Sequence, residues 1–235
     1  MNSYKNFSYY YDEIMEVIEY DQWVNFVKPY LKENDKILDL ACGSGTFAIS
    51  IANLGYQISG LDLSNDIINV AKEKSKVNHV EIDYQVLDMT NFQYENKFNV
   101  ITCFFDSVNF LKENQLQGLL DSVYNNLEEN GYFIFDLFTY TKMKFFNNTT
   151  IKDKLAFSKY KWKMKVKNDV LTHTITITDN KEKTVETYEE YYHDYEKLID
   201  KRFKLIKVVT DFKEDLDLKK GERILVVLQK WLNQK

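Results

Sequence analysis

The chain opens with apolar positions at helical spacing. In "YDEIMEVIEY" Ile14, Val17 and Ile18 fall on one face, and Asp21 is placed to cap a second helix, "QWVNFVKPYL". Residues 1–33 therefore read as helical. From residue 36 the rhythm changes, and short apolar runs alternate with amphipathic ones. "KILDLACG" reads as a strand, "GTFAISIANLG" as a helix ended by Gly55, "YQISGLDLS" as a strand and "SNDIINVAKEKSK" as a helix capped by Ser64. "HVEIDYQVLDM" and "KFNVITCFFDS" follow as strands. A helix over "ENQLQGLLDSVYNNLEENG", closed by Gly131, leads to the strand "YFIFDLF". Strands alternating with helices predict a parallel sheet covered on both faces.

Between about 155 and 194 only period-two alternation is found. "KYKWKMKVK" puts Lys159, Lys161, Lys163, Lys165 and Lys167 on one face, with Tyr160, Trp162, Met164 and Val166 on the other. "VLTHTITIT" alternates Leu171, His173, Ile175 and Ile177 with threonines, and "TVETYEEYYHDY" follows the turn "DNKEK". Three consecutive strands with short turns predict a small antiparallel sheet inserted in the core. "YEKLIDKRF", "KLIKVVTDF" and "RILVVLQKW" then resume as helix, strand, strand. The expected divisions are 1–145 (helical lid plus core), 146–194 (antiparallel β insertion covering the substrate) and 195–235 (last helix and strand pair of the core).

Composition narrows the function. Hydrophobic residues make up 44% of the 235, enough for a packed core, and a net charge of −5 gives no global attraction to phosphate backbones. Two cysteines, Cys42 and Cys103, suit a reduced, cytoplasmic setting better than a secreted one. The first residues lack a charged-then-apolar leader, and no apolar run approaches the ~18 residues of a membrane span. Three histidines and two distant cysteines give no metal set of usable spacing.

The candidate chemistry lies in "ILDLACGSGTFA". A buried strand is interrupted by Asp39, and Gly43 and Gly45 follow at once. A strand, a glycine turn and a helix start together let a ligand approach the backbone closely. Gly43-x-Gly45-x-x-Ala48 fits a dinucleotide pattern, which leaves a nicotinamide or flavin enzyme open beside another nucleoside binder. Asp62, ending the next strand, is placed to accept both ribose hydroxyls, and Asp88 to accept an adenine amine. A carboxylate at Asp39 would repel a pyrophosphate and welcome a cation. A ligand with a ribose, an adenine and positive charge beside the turn is S-adenosylmethionine.

On these residues the chain resembles the class I S-adenosylmethionine-dependent methyltransferases. Asp39-x-x-x-Gly43-x-Gly45 is similar to their first motif, Asp62 to their ribose acid, and Asp88-Met89 to their adenine-contacting pair. "YKNFSYYYDEIM" and "FFDSVNFL" resemble the lid and post-strand segment of a bacterial subgroup that includes sugar N-methyltransferases. The resemblance implies an α/β, Rossmann-like, doubly wound and mostly parallel seven-stranded sheet with the small antiparallel insertion. It implies a cofactor site of Tyr11, Trp23, Asp39, Ala41, Gly43, Gly45, Asp62, Leu63, Asp88, Met89 and Phe105, with Phe105 and Asp106 bordering the cofactor's methionine end and the acceptor pocket. The Asn/Asp-Pro-Pro-Tyr acceptor motif of DNA and protein-glutamine methyltransferases is replaced by "CFFDSVN".

The expected reaction is in-line displacement of the sulfonium methyl onto an N or O atom of a small-molecule acceptor, by a monomer or homodimer without a membrane partner. Tyr11, Asp106 and His193 are candidate bases for a protonated amine. His173 reads as an ordinary strand residue. The aromatics Tyr4, Phe7, Tyr11 and Trp23 either close over the site or pack the first helices onto the sheet. The lysine row reads as a solvated face, balanced by the acids of "VETYEEYYHDYE" across the strands, or as a docking surface for an anionic partner such as RNA. A tRNA or protein methyltransferase, a NAD-binding oxidoreductase and a non-catalytic S-adenosylmethionine-binding module stay as alternatives.

Overall fold

The computed structural model describes residues 19–155, 158–179 and 182–231. The helix expected around Ile14, and Tyr4, Phe7 and Tyr11, lie outside them. The first helix described, α1 (Asp21–Val27), has Tyr20 at its N-cap. Asp21 thus sits in the first turn, where its charge favours the helix dipole, and does not cap it. Pro29 then tightens the chain into a single 3-10 turn, Lys28–Tyr30.

The core runs β1 (Lys36–Leu40), α2 (Thr46–Ala52), β2 (Gln57–Asp62), α3 (Asn65–Val77), β3 (Asp83–Val86), β4 (Phe98–Cys103), α4 (Leu116–Asn126) and β5 (Leu127–Phe138). A short α5 (Tyr140–Phe146) leads into β6 (Thr150–Lys154), β7 (Ser158–Lys167), β8 (Val170–Asp179) and β9 (Glu182–Tyr191), and β10 (Phe203–Thr210) and β11 (Arg223–Lys230) end the chain. Seven strands form one sheet in the order β10-β11-β5-β4-β1-β2-β3. β1 pairs in parallel with both β2 and β4, and β11 lies antiparallel between β5 and β10.

Neighbouring strand residues feed two opposite cores. Ile37, Ile58, Val100, Ile134 and Val227 pack under α1, α2 and α3 through Trp23, Val27, Phe47, Ile51, Ile68 and Ala71. Leu38, Leu61, Ile101, Phe133 and Leu228 pack against α4 through Leu116, Leu119, Leu120 and Val123. This is the doubly wound sheet expected from the alternation, with strand order reversing between β1 and β4.

Several boundaries move, each for a local reason. The helix expected to reach Gly131 stops at Asn126, whose side-chain amide donates to Ser122 O at 2.8 Å and Phe92 O at 3.0 Å, and β5 begins at Leu127. The helix expected over "YEKLIDKRF" is one 3-10 turn, Tyr195–Leu198. There Asp200 takes the Arg202 backbone N–H at 2.9 Å and its guanidinium at 2.7 Å, offering the backbone an alternative to a helical ladder.

The insertion has four strands, not three, in the order β6-β7-β8-β9. The extra strand, "TIKDK", is solvent-exposed along its length and carries no alternation to reveal it. Met164 and Leu171 pack with Phe138 and Met143, so the inner face of the insertion meets α5 and the end of β5. Asn109 ties the two sheets together: its amide donates to Tyr191 O at 2.9 Å and its Oδ1 accepts from Phe138 N at 3.1 Å. The insertion thereby stands at the carboxyl ends of the parallel strands.

Gly60, mid-way along β2, leaves room for its neighbours: a Cβ there would lie 2.8 Å from Cys42 Sγ and 2.8 Å from Tyr84 Cδ1. Gly60→Ala is expected to cost about 1–3 kcal/mol by overpacking. Urea unfolding checks this, and an unchanged midpoint would mean that the Tyr84 ring yields freely.

Candidate active site at the carboxyl ends of the strands

β1 runs directly into a tight turn in which Ala41, Gly43 and Gly45 have φ of 50°, 55° and 78°. Glycine adopts these values without strain, and Ala41 does so at some cost. Cys42 N donates to Leu61 O at 2.9 Å and Gly45 N to Cys42 O at 3.0 Å, so the turn is tied to β2 and to itself. A Cβ at Gly43 would meet nothing within 4 Å, which leaves the space above the turn open for a ligand. Gly45 has the opposite problem: a Cβ would lie 2.3 Å from Tyr84 Oη, which bonds Ser75 Oγ at 3.0 Å.

Asp39 is buried beside this turn, between Gly60 of β2 and Thr102 of β4. Thr102 Oγ1 donates to Asp39 Oδ1 at 2.8 Å, and among the described residues no lysine or arginine pairs with it. Burial pushes its carboxyl up to about 7; the threonine bond opposes this, and the Asp62 charge adds to it. Asp39 therefore holds a proton far more readily than an ordinary carboxylate.

Asp62 ends β2 with its Oδ2 accepting from Gly43 N at 3.1 Å and its Oδ1 from Ser64 N at 2.9 Å. Burial raises its pKa, and those N–H groups oppose the rise. The Leu63 N–H bears on it as well, and of the four lone-pair positions one is left for a further donor. Leu63, beside it, is 73% exposed, an apolar side chain left uncovered at a strand tip. Asp88 is exposed, and its Oδ1 is taken up by Thr90 N at 2.8 Å and Thr90 Oγ1 at 2.7 Å in a local turn. Met89 packs on the α4 core, with its sulfur 3.9 Å from Cys103 Sγ.

After β4 the chain turns sharply at Phe105 and Asp106, both left-handed at φ 60° and 61°. Two consecutive non-glycine residues in this region are strained, and one buried carboxylate holds them. Asp136, on β5, accepts from Asp106 N at 2.8 Å, Phe105 N at 3.2 Å and the Trp23 indole N–H at 2.7 Å. Arg223, at the start of β11, reaches Asp136 at 2.9 Å and Asp106 at 2.8 and 3.1 Å, while Lys142 of α5 reaches Asp106 at 2.6 Å. Burial would raise the Asp106 pKa, but Arg223 and Lys142 outweigh it and hold the carboxyl below its ordinary value. Asp136 is raised by the same burial, which its share of Arg223 offsets only in part.

Trp23 is buried, its ring 4.6 Å from Phe105 and 5.0 Å from Phe212, with the Arg223 guanidinium 5.1 Å above it. It packs α1 onto the sheet and supports the Phe105 side of the turn. His193 is buried, held neutral by that burial, with Nε2 2.8 Å from Leu111 O. His173 is buried in the insertion, accepting from Trp162 Nε1 at 2.9 Å, 3.2 Å from Glu190, and stacked on Tyr188 at 4.5 Å. Asp39, Ala41, Gly43, Gly45 and Asp62 thus share one tip. Asp106 and Phe105 meet Trp23 at the next, and Tyr11 lies outside the described residues. Among those residues, no three His, Cys, Asp or Glu side chains gather to hold a metal.

A cleft of about 580 Å³ lined by Lys36, Gln57, Glu81, Asp83 and Glu95 lies at the start of the strands, the wrong end for strand-tip chemistry. The open turn over Gly43, the unpaired acid Asp39 and the exposed Leu63 fit a cationic nucleoside. Residues 37–131 match the family described as "Methyltransferase domain". Over that stretch the chain carries a methyltransferase domain.

A Geobacillus sp. (strain WCH70) protein is 33% identical to the methyltransferase over 147 residues, 60% of either chain, and YqeM of Bacillus subtilis (strain 168) is 27% identical over 97% of either. Both are named methyltransferases only provisionally. An S-adenosylmethionine-dependent methyltransferase from Clostridium acetobutylicum ATCC 824 superposes with a TM-score of 0.84 at 23% identity, covering 97% of this chain and 99% of that one. The sugar N-methyltransferase KedS8 from Streptoalloteichus sp ATCC 53650 superposes at 0.74 with 15% identity and 92% of each chain. No described helix is long and apolar enough to cross a membrane.

The raised Asp39 carboxyl has a consequence for stability. Its folded value of about 7 exceeds the unfolded ~3.9, so the folded state gains on the unfolded at low pH and loses that advantage as pH rises from about 4 through 7. Ligand-free protein is expected to lose a few kcal/mol across that window through this group, and Asp39→Asn to remove the loss. Urea unfolding from pH 5 to 8 tests it; parallel curves for the two proteins would contradict it.

Proposed function

We propose that the enzyme transfers the S-adenosylmethionine methyl group to an N or O atom of a small-molecule acceptor, held between the strand tips and the inner face of the insertion. The observation that carries the cofactor's placement is Asp39, an acid buried beside the glycine turn with no basic partner among the described residues. S-adenosylmethionine, when bound, supplies a methyl group on a sulfonium that is itself the leaving group. Asp39 and the turn would face its positive end, Asp62 its ribose and Leu63, Asp88 and Met89 its adenine. The chain's own work is then to orient the reactants and exclude water.

The acceptor's place follows from the insertion. Its inner face presents Trp162, Tyr188, His173 and Glu190, with the Phe110 ring, from the segment after β4, tilted against Tyr188 at 5.6 Å. Aromatic walls with a buried carboxylate suit a compact polar molecule. The likeness to KedS8, a sugar N-methyltransferase, supports this class at the level of fold.

Asp106 is a positioning residue in this reading, not the base. A carboxylate shared by Arg223 and Lys142 and held below its ordinary pKa has little affinity for a proton. It fixes the strained turn bordering the site and, through Lys142, fastens α5 beneath the insertion. His193 Nε2 is engaged with Leu111 O, which suits anchoring the insertion.

Calorimetry with S-adenosylmethionine, its demethylated product and NAD tests the cofactor assignment. Micromolar-range binding is expected for the first two only. Asp62→Ala is expected to lose on the order of 10–100-fold, the worth of one or two hydrogen bonds to a charged group; equal binding would remove the ribose from Asp62. With any acceptor that supports turnover, Asp106→Asn is expected to lower kcat and raise the acceptor KM while the pH–rate profile keeps its shape. Loss of the profile's acidic limb would make Asp106 the base.

A further inference from the structure

The outer face of the insertion is built mainly of lysines and threonines. Pairing register puts Lys154, Lys159, Thr178 and Lys183 in one row, Lys152, Lys161, Thr176 and Val185 in the next, and Thr150, Lys163, Thr174 and Thr187 in a third. Lys165 with Thr172 and Glu189, and Lys167 with Val170 and Tyr191, complete the face. Eight lysines therefore share it with one of the chain's 36 acidic side chains, Glu189, which itself accepts from Tyr191 Oη at 2.7 Å.

The balancing acids expected from "VETYEEYYHDYE" are not there. Glu186 and Glu190 lie opposite Ile175 and Leu171, on the inner face, and the β7 lysines meet threonines of β8 and lysines of β6 instead. Among the described residues none of the eight lysines is paired with a carboxylate. Lys163, Lys152 and Lys183 repel Lys161 enough to pull its ammonium below the usual lysine pKa. A protein of net charge −5 thus gathers uncompensated positive charge on one sheet face, turned away from its own core.

We propose that this face binds double-stranded RNA through its sugar–phosphate backbone. Lysines at alternate positions of a strand stand about 6.8 Å apart, and neighbouring strands about 4.8 Å apart, giving a grid of donors. Six threonines interleave with them, and hydroxyls with ammonium groups are the side chains that contact phosphate and sugar oxygens. The three fullest rows carry no aromatic side chain on which an unstacked base could lie, so single-strand stacking is not the mode. A four-stranded sheet is too broad for the B-DNA major groove, which admits a helix or a two-stranded ribbon, whereas the wide, shallow minor groove of A-form RNA presents 2′-hydroxyls and phosphates to such a surface. Val185 is the one apolar side chain in those rows, too little to insert into a membrane. The inference does not depend on which acceptor is methylated.

The test is fluorescence anisotropy with a labelled RNA duplex of ~16 base pairs, a length typical of shape-reading modules. The intact protein is expected to bind with an affinity that falls steeply with salt, and Lys161→Glu with Lys163→Glu to weaken it on the order of 100-fold and flatten the log–log slope by about 2. Lys161→Arg with Lys163→Arg should bind as the parent does, and S-adenosylmethionine affinity should be unchanged in both doubles. A DNA duplex of equal length, poly-glutamate and phosphatidylserine vesicles are run alongside. No RNA binding at ~50 mM salt, binding indifferent to charge reversal, or tighter binding to any of those three probes would overturn the proposal.

Discussion

The active end of this molecule depends on keeping a carboxylate where water cannot reach it. Asp39 sits in a central strand with neighbours on either side, beneath helices, with a threonine hydroxyl as the partner of its Oδ1. Such a group is costly to ionise. In the proposed function a cationic ligand would offset that cost, and affinity would be gained at the expense of stability in the empty protein. The glycine turn, the Asp62 bonds to Gly43 and Ser64, and the close packing of Tyr84 under Gly45 keep that carboxylate in register with the space above the turn.

A second buried acid organises the neighbouring tip. Asp136 and Asp39 both project from the sheet face covered by α1, α2 and α3, one near the end of β5 and one near the end of β1. Asp39 has no ionic partner among the described residues, whereas Asp136 has Arg223. That difference is why the proposed function gives Asp39 a ligand and Asp136 a structural part. The Asp136 network fixes two left-handed residues, anchors Trp23 of the first helix and, through Asp106 and Lys142, reaches the helix under the insertion. Helix, turn and cover are therefore set by one cluster of charges. The insertion has two unlike faces, an aromatic inner one that packs on the strand tips and a basic outer one that packs on nothing described. Its alternation serves both, since a period of two separates them cleanly.

The sequence by itself determined the doubly wound sheet, because apolar runs broken by amphipathic ones leave few other architectures. It also determined the glycine turn with Asp39 and Asp62, because a lone acid in a buried strand and another at the next strand's end are visible as anomalies. Asp136 in "YFIFDLF" carried the same anomaly and could have been found by it. Pairing was beyond reach. Arg223 lies 117 residues from Asp106, and Lys142 lies 36, so only the fold brings them together and clamps that carboxylate between two cations. Register was equally hidden: a one-residue slip would exchange every face of the insertion. Tertiary structure alone decided that the glutamates turn inward, that an exposed fourth strand adds its lysines, and that the charge on the outer face stands unbalanced.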